Sequence, residues 1–165
     1  VSQDDAAKIR ELFLINLITY GNIPYIWGGQ DEDGLDCSGF VQRALELIGL
    51  DPEGDQTAQA LYHHFTEADN GHEIYPWETS DLGDLLFYGR DKRSITHISI
   101  YLGQQMLVEA GGGGARTTTR EIAEQMNAKV RIRQIGHRKD MVAIVRPNGL
   151  PWVSATKGSP TDLPT

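Results

Sequence analysis

Apolar residues recur at three- and four-residue steps from Ile9 through Leu12, Phe13 and Leu17 to Tyr20, with Asn16 on the same face. This spacing predicts an amphipathic helix that starts near Ala6, is capped by Asp4 or Asp5, and ends at Gly21. Residues 22–35 carry Pro24, the pair Gly28-Gly29 and the acidic run Asp31–Asp33, and read as loop. The helical period returns at Cys37. Phe40, Val41, Ala44, Leu45, Leu47 and Ile48 form its apolar face, Asp36 stands at the N-cap, and Gly49 stops it. A further helix is expected over Thr57–Phe65. Beyond Gly83 the pattern changes to short apolar runs, at Asp84–Tyr88, His97–Leu102 and Gln105–Ala110, with Gly103 turning the last two. A short helix over Thr119–Asn127 precedes an antiparallel pair, Lys129–Ile135 and Met141–Val145. Helices first and strands later predict an α+β domain with an antiparallel sheet. The domain is expected to close at Pro147, leaving residues 148–165, rich in Pro, Gly, Ser and Thr, as a tail.

The 165 residues suit one domain, and the 39% hydrophobic content is that of a chain with a buried core. The longest apolar stretch, Leu12–Ile18, is far shorter than the ~20 residues of a membrane-spanning helix. No secretory signal is visible, although a chain beginning at Val1 is compatible with removal of a leader. The net charge of −8 argues against nucleic-acid binding. The basic residues Arg131–Arg133 and His137–Lys139 make too small a patch to offset it. One cysteine excludes an internal disulfide and a four-thiolate zinc site.

That cysteine, Cys37, falls at the first turn of a predicted helix. Free N–H groups there favour a thiolate and are placed to hold an oxyanion. Gly39 leaves space that a substrate carbonyl could use. A nucleophilic thiol needs a base, and among the five histidines His97 opens a strong strand. Twelve residues on, across the Gly103 turn, Glu109 returns alongside His97, where a carboxylate orients an imidazole. The four glycines 111–114 lack the Gly-Lys-Ser/Thr ending of a phosphate loop and read as a mobile wall beside Glu109. His63, His64, His72 and Glu73 do not have zinc-ligand spacing, so no metal is expected. Trp27, Trp77 and Trp152 have rings able to stack on sugars, with core packing or a tail anchor as the safer reading for each.

Four blocks, Pro24-Tyr-Ile-Trp-Gly-Gly29, Leu35-Asp-Cys-Ser-Gly-Phe-Val41, Gly83-Asp-Leu-Leu-Phe87 and His97-Ile-Ser-Ile-Tyr-Leu-Gly103, occur in order. Together they resemble the NlpC-type family of papain-like cysteine peptidases, which cut peptide stems of bacterial peptidoglycan. The resemblance covers about residues 6–147. It implies a papain-like α+β fold with N-terminal helices on a central antiparallel sheet. It implies Cys37 as nucleophile and His97 as base. It implies Tyr25 at the oxyanion site and Tyr25, Asp36 and Ser38 as the pocket for the free amine of the stem. The third catalytic position, usually His and sometimes Asn or Gln, holds Glu109 here. The resemblance also implies no cofactor, peptidoglycan stem peptides as partners, and an extracytoplasmic or virion location, with tail-complex partners if the chain is phage-encoded. Two alternatives stand beside the endopeptidase: a wall-binding or virion module of the same fold with weak catalysis, and an acyltransferase of the same superfamily.

Overall fold

The computed structural model describes residues 1–153. Helix α1 (Gln3–Thr19) starts earlier than the apolar spacing predicts, because Ser2 rather than Asp4 or Asp5 caps it, its hydroxyl accepting from the Asp5 amide at 3.1 Å. Only Phe13 and Leu17 of its apolar positions are buried; Leu12, Ile15 and Ile18 face outward. A two-residue hairpin, β1 (Gln30–Asp31) and β2 (Gly34–Leu35), lies inside the stretch read as loop. Helix α2 (Cys37–Glu46) buries Phe40, Val41, Ala44 and Leu45 of the face its spacing predicts, but it ends before Leu47 and Ile48, and Leu47 is exposed. Helix α3 (Ala58–Thr66) is capped by Thr57.

Five strands then complete one antiparallel sheet with β3 (Gly71–Glu73), a strand the polar sequence there does not announce. They are β4 (Leu85–Gly89), β5 (Ile95–Gly103), β6 (Met106–Gly111), β7 (Lys129–Gln134) and β8 (Met141–Pro147), with α4 (Arg120–Met126) before β7. The order across the sheet is β3-β8-β4-β5-β6-β7. The β5–β6 turn is tight, with Gln104 and Gln105 both at positive φ, so β6 starts at Met106. Side chains alternate between two cores. Leu85, Phe87, Ile98, Ile100, Val108 and Ala110 pack toward the helices, while Leu86, Tyr88, Tyr101, Leu107 and Ile144 form a cluster of their own.

Residues 148–153 continue onto the domain instead of leaving it. Leu150 is buried, and the Trp152 ring packs 5.1 Å from Phe13 while its Nε1 donates to the Leu82 carbonyl at 2.9 Å. The rest of the stretch read as a tail lies outside the described residues. No helix among the described residues is long and apolar enough to cross a membrane.

Candidate active site

The start of α2 is fixed by its own neighbours. Asp36 caps the helix, its Oδ1 accepting from the Gly39 amide at 2.7 Å and from the Ser38 hydroxyl at 3.2 Å, and its Oδ2 from the Gly28 amide at 3.0 Å. The Asp36 amide in turn donates to the Gly29 carbonyl at 3.0 Å. A Cβ on Gly39 would strike that carbonyl. The space at Gly39 is therefore filled by the 28–29 backbone and is not a seat for a substrate carbonyl, as the sequence alone had left open.

Cys37, 9% exposed, is thereby held at the first turn of α2. Burial pushes its thiol up to about 11, and the Asp36 charge adds to the rise. The amides of Ile98, Ser38 and Cys37 itself pull the other way and lose. This reverses the expectation that the helix start alone would yield a thiolate. The Ile98 amide also locates the sulfur: it lies against the His97–Ile98 junction of β5. Tyr25 and Ser38 are buried beside it, and the Tyr25 phenol is pushed upward by burial and by the neighbouring Cys37 and Asp36.

His97 turns its ring to a second set of partners. Its Nε2 lies 2.6 Å from Glu109 Oε2, both groups buried. The β5–β6 register pairs Ile100 with Val108, which sets Glu109 one diagonal step from His97. The other carboxylate oxygen, Oε1, faces His137 Nε2 at 3.3 Å and Arg131 Nε at 3.5 Å. Burial alone would raise the Glu109 carboxyl, but the hydrogen bond with His97 and the basic side chains of His97, His137 and Arg131 around it outweigh burial and hold it at about 2, against an ordinary 4.5. The structure thus brings Tyr25, Asp36, Cys37 and Ser38 together, and His97 with Glu109. The thiol meets the two at the backbone of His97; among the described residues no hydrogen bond links sulfur and imidazole, and His97 Nδ1 has no protein partner.

The glycine run is packed against this site. A Cβ on Gly113 would enter the Tyr25 ring, one on Gly111 would lie 2.7 Å from Glu109 Oε1, and one on Gly112 3.1 Å from the Arg131 guanidinium. Arg131 and His137 were legible only as part of a small basic patch. The register Glu109↔Arg131 between β6 and β7 is the signal that pairs one of them with the carboxylate. Two of the three histidines considered for zinc are engaged elsewhere: His72 with Asn148, His63 with Glu67. Glu73 accepts from Tyr62 and Lys92.

The profile of the NlpC/P60 family matches residues 21–135. The bifunctional muramidase/DL-endopeptidase CwlT of Bacillus subtilis is 32% identical over 108 residues, which are 63% of this chain and 30% of that protein. The chain spans between 20% and 38% of the length of curated relatives it matches. Among solved structures, the peptidoglycan hydrolase RipB of Mycobacterium tuberculosis has a TM-score of 0.63 at 22% identity, covering 88% of this chain and 67% of that one. RipD of the same organism, described as a non-catalytic NlpC/p60 domain protein adapted to peptidoglycan binding, has a TM-score of 0.59 at 19% identity, covering 83% of this chain and 95% of that one.

Proposed function

The chain belongs to the NlpC/P60 family, and from that premise we propose that it is a cysteine endopeptidase that hydrolyses amide bonds in the stem peptides of bacterial peptidoglycan, outside the cytoplasm or in a phage particle. One observation carries the reading: a lone thiol at a helix start lies against the backbone of a histidine whose ring is tied to a buried carboxylate.

In this reading the resting thiol is protonated, because burial and Asp36 favour the neutral form. With Nε2 occupied by Glu109, His97 takes the thiol proton on Nδ1 as the sulfur attacks the carbonyl carbon. Glu109 stabilises the resulting imidazolium. The Cys37 and Ser38 amides, first in the helix and without intrahelical acceptors, and the Tyr25 hydroxyl face the developing oxyanion. The imidazolium gives its proton to the leaving amine, and a thioester forms on Cys37. Water, deprotonated by the same ring, then hydrolyses it. The Asp36 carboxylate keeps acceptor capacity beyond its three hydrogen bonds, which suits it to the ammonium of a stem ending.

Mass spectrometry of muropeptides after incubation tests the proposal. Wild type is expected to split stem peptides, and Cys37→Ala to leave them intact while keeping its fold. Turnover by Cys37→Ala would refute it. The second reading, a wall-binding module, draws on Glu109 standing where histidine is usual and on the family's non-catalytic member. It predicts retention on sacculi without any cleavage by the wild type. Products carrying a new amide instead of a free carboxylate would identify an acyltransferase.

A further inference from the structure

The carboxylate that holds His97 is itself held. Glu109 Oε2 serves His97 alone, while Oε1 faces Arg131 from β7 and His137 from the 3-10 turn at residues 135–137. With its side chain 2% exposed, the carboxylate exchanges little with water, so these groups fix its plane. His137 hydrogen-bonds the Gln134 carbonyl through Nδ1 at 3.0 Å, and its Nε2 lies 3.3 Å from Glu109 Oε1. Arg131 Nε is the one buried side-chain nitrogen or oxygen among the described residues without a hydrogen bond. Its partner is the charge of Glu109, 3.5 Å away. The remaining charges nearby cancel: Arg138, stacked over Tyr88 at 5.1 Å, is paired with Asp140 at 2.7 Å. Tyr88 itself lies 5.5 Å from the His97 ring and 6.5 Å from the His137 ring and bonds Ser99.

We propose that Arg131 and His137 are positioning residues that act as a cationic clamp on Glu109, keeping its carboxylate aimed at His97, and that this clamp is what allows a glutamate to replace the usual histidine. The proposal rests on the peptidase reading for its kinetic consequences and on geometry alone for the clamp. With Glu109 present, Arg131 neutralises and aligns. With an imidazole at 109, the same guanidinium faces only other cations or neutral rings, and repels the imidazolium that His97 must become.

The test is the sign of one substitution in two backgrounds. Arg131→Gln is expected to lower kcat/KM on stem peptides about tenfold in the wild-type background and to raise it about fivefold in a Glu109→His background. Arg131→Lys, which keeps the charge, should restore most of the wild-type rate. A merely structural arginine would lower activity by the same factor in both backgrounds, and that result would overturn the clamp. Independently of turnover, urea unfolding in the Cys37→Ala background should show Glu109→Gln coupled to Arg131→Gln and to His137→Gln, each double variant losing less stability than the sum of its two single losses. Additive losses would overturn the clamp even in an active enzyme. Coupled losses in a protein that cuts no stem peptide would uphold the clamp and sink the peptidase reading.

Discussion

Cys37 is held by its sequence neighbours, whereas Glu109 is held by residues from three other elements. Everything that fixes the thiol lies between Tyr25 and Gly39, apart from the Ile98 amide and the glycine strap. The carboxylate depends on His97 of β5, Arg131 of β7 and His137 of the turn after it. The surroundings differ in sign as well. On the thiol side burial and Asp36 oppose charge formation; on the carboxylate side the hydrogen bond with His97 and the neighbouring basic side chains hold the charge in place. In the proposed mechanism these are complementary halves, a thiol kept neutral and an imidazole partnered by an anion, with the proton passing between them through His97. The Gly111–Gly113 strap touches both, lying against Glu109, Arg131 and Tyr25.

The strongest way to break this contrast is to empty its anionic half. Glu109→Ala leaves Arg131 and His137 without their counter-charge, and removing one partner of a buried ion pair costs about 3–5 kcal/mol. We expect that loss in urea unfolding, together with a fall in kcat of ~10²-fold, still less than removal of His97. Glu109→Gln separates charge from shape. Because the folded carboxyl sits at about 2, below its ordinary 4.5, it contributes stability that is complete above that ordinary value and is lost as pH falls toward 2. The difference in stability between wild type and Glu109→Gln should therefore shrink from pH 5 downward. A constant difference would show that the charge is not what Glu109 supplies.

The strap offers a smaller perturbation that reaches both halves. Gly113→Ala must displace the Tyr25 ring, and overpacking of this kind costs about 1–3 kcal/mol. It should lower kcat/KM with little change in the Glu109 titration. Gly114→Ala meets no atom within 4 Å and serves as the matched control, expected to behave as wild type. Equal effects at the two positions would mean the strap matters only as flexible chain. Smallest is the cap: Asp36→Ala should cost about 1 kcal/mol of stability, the usual value for an N-cap, and should weaken any preference for stems with a free amine. Equal cutting of free and amine-blocked stems by wild type would remove the binding role from Asp36 and leave the cap.

How much could be read from the sequence follows the same division. The thiol side is contiguous, so the Asp36 cap and the placement of Cys37 at a helix start are written in adjacent letters. The pairing of His97 with Glu109 was legible because one short turn joins their strands. Arg131 and His137 were not, since their partner lies across the β6–β7 pairing and their basic character resembles a surface patch. The β1–β2 hairpin and β3 are two or three residues long and mostly polar, too short for an alternation to declare itself. Ser2 was missed because two aspartates stood nearer the expected start. The thiol's upward shift was also hidden: the helix start is local, but the burial that overrides it comes from the whole fold.

Whether the two halves form one proton-transfer unit is read most directly from the rate at which iodoacetamide alkylates Cys37. The chain has a single cysteine, so intact mass reports on that sulfur alone. If His97 accepts its proton, wild type should be alkylated near neutral pH. His97→Ala, which lacks the base, should react there far more slowly and gain speed only toward alkaline pH. One alkaline profile shared by both proteins would show that His97 does not accept the thiol proton.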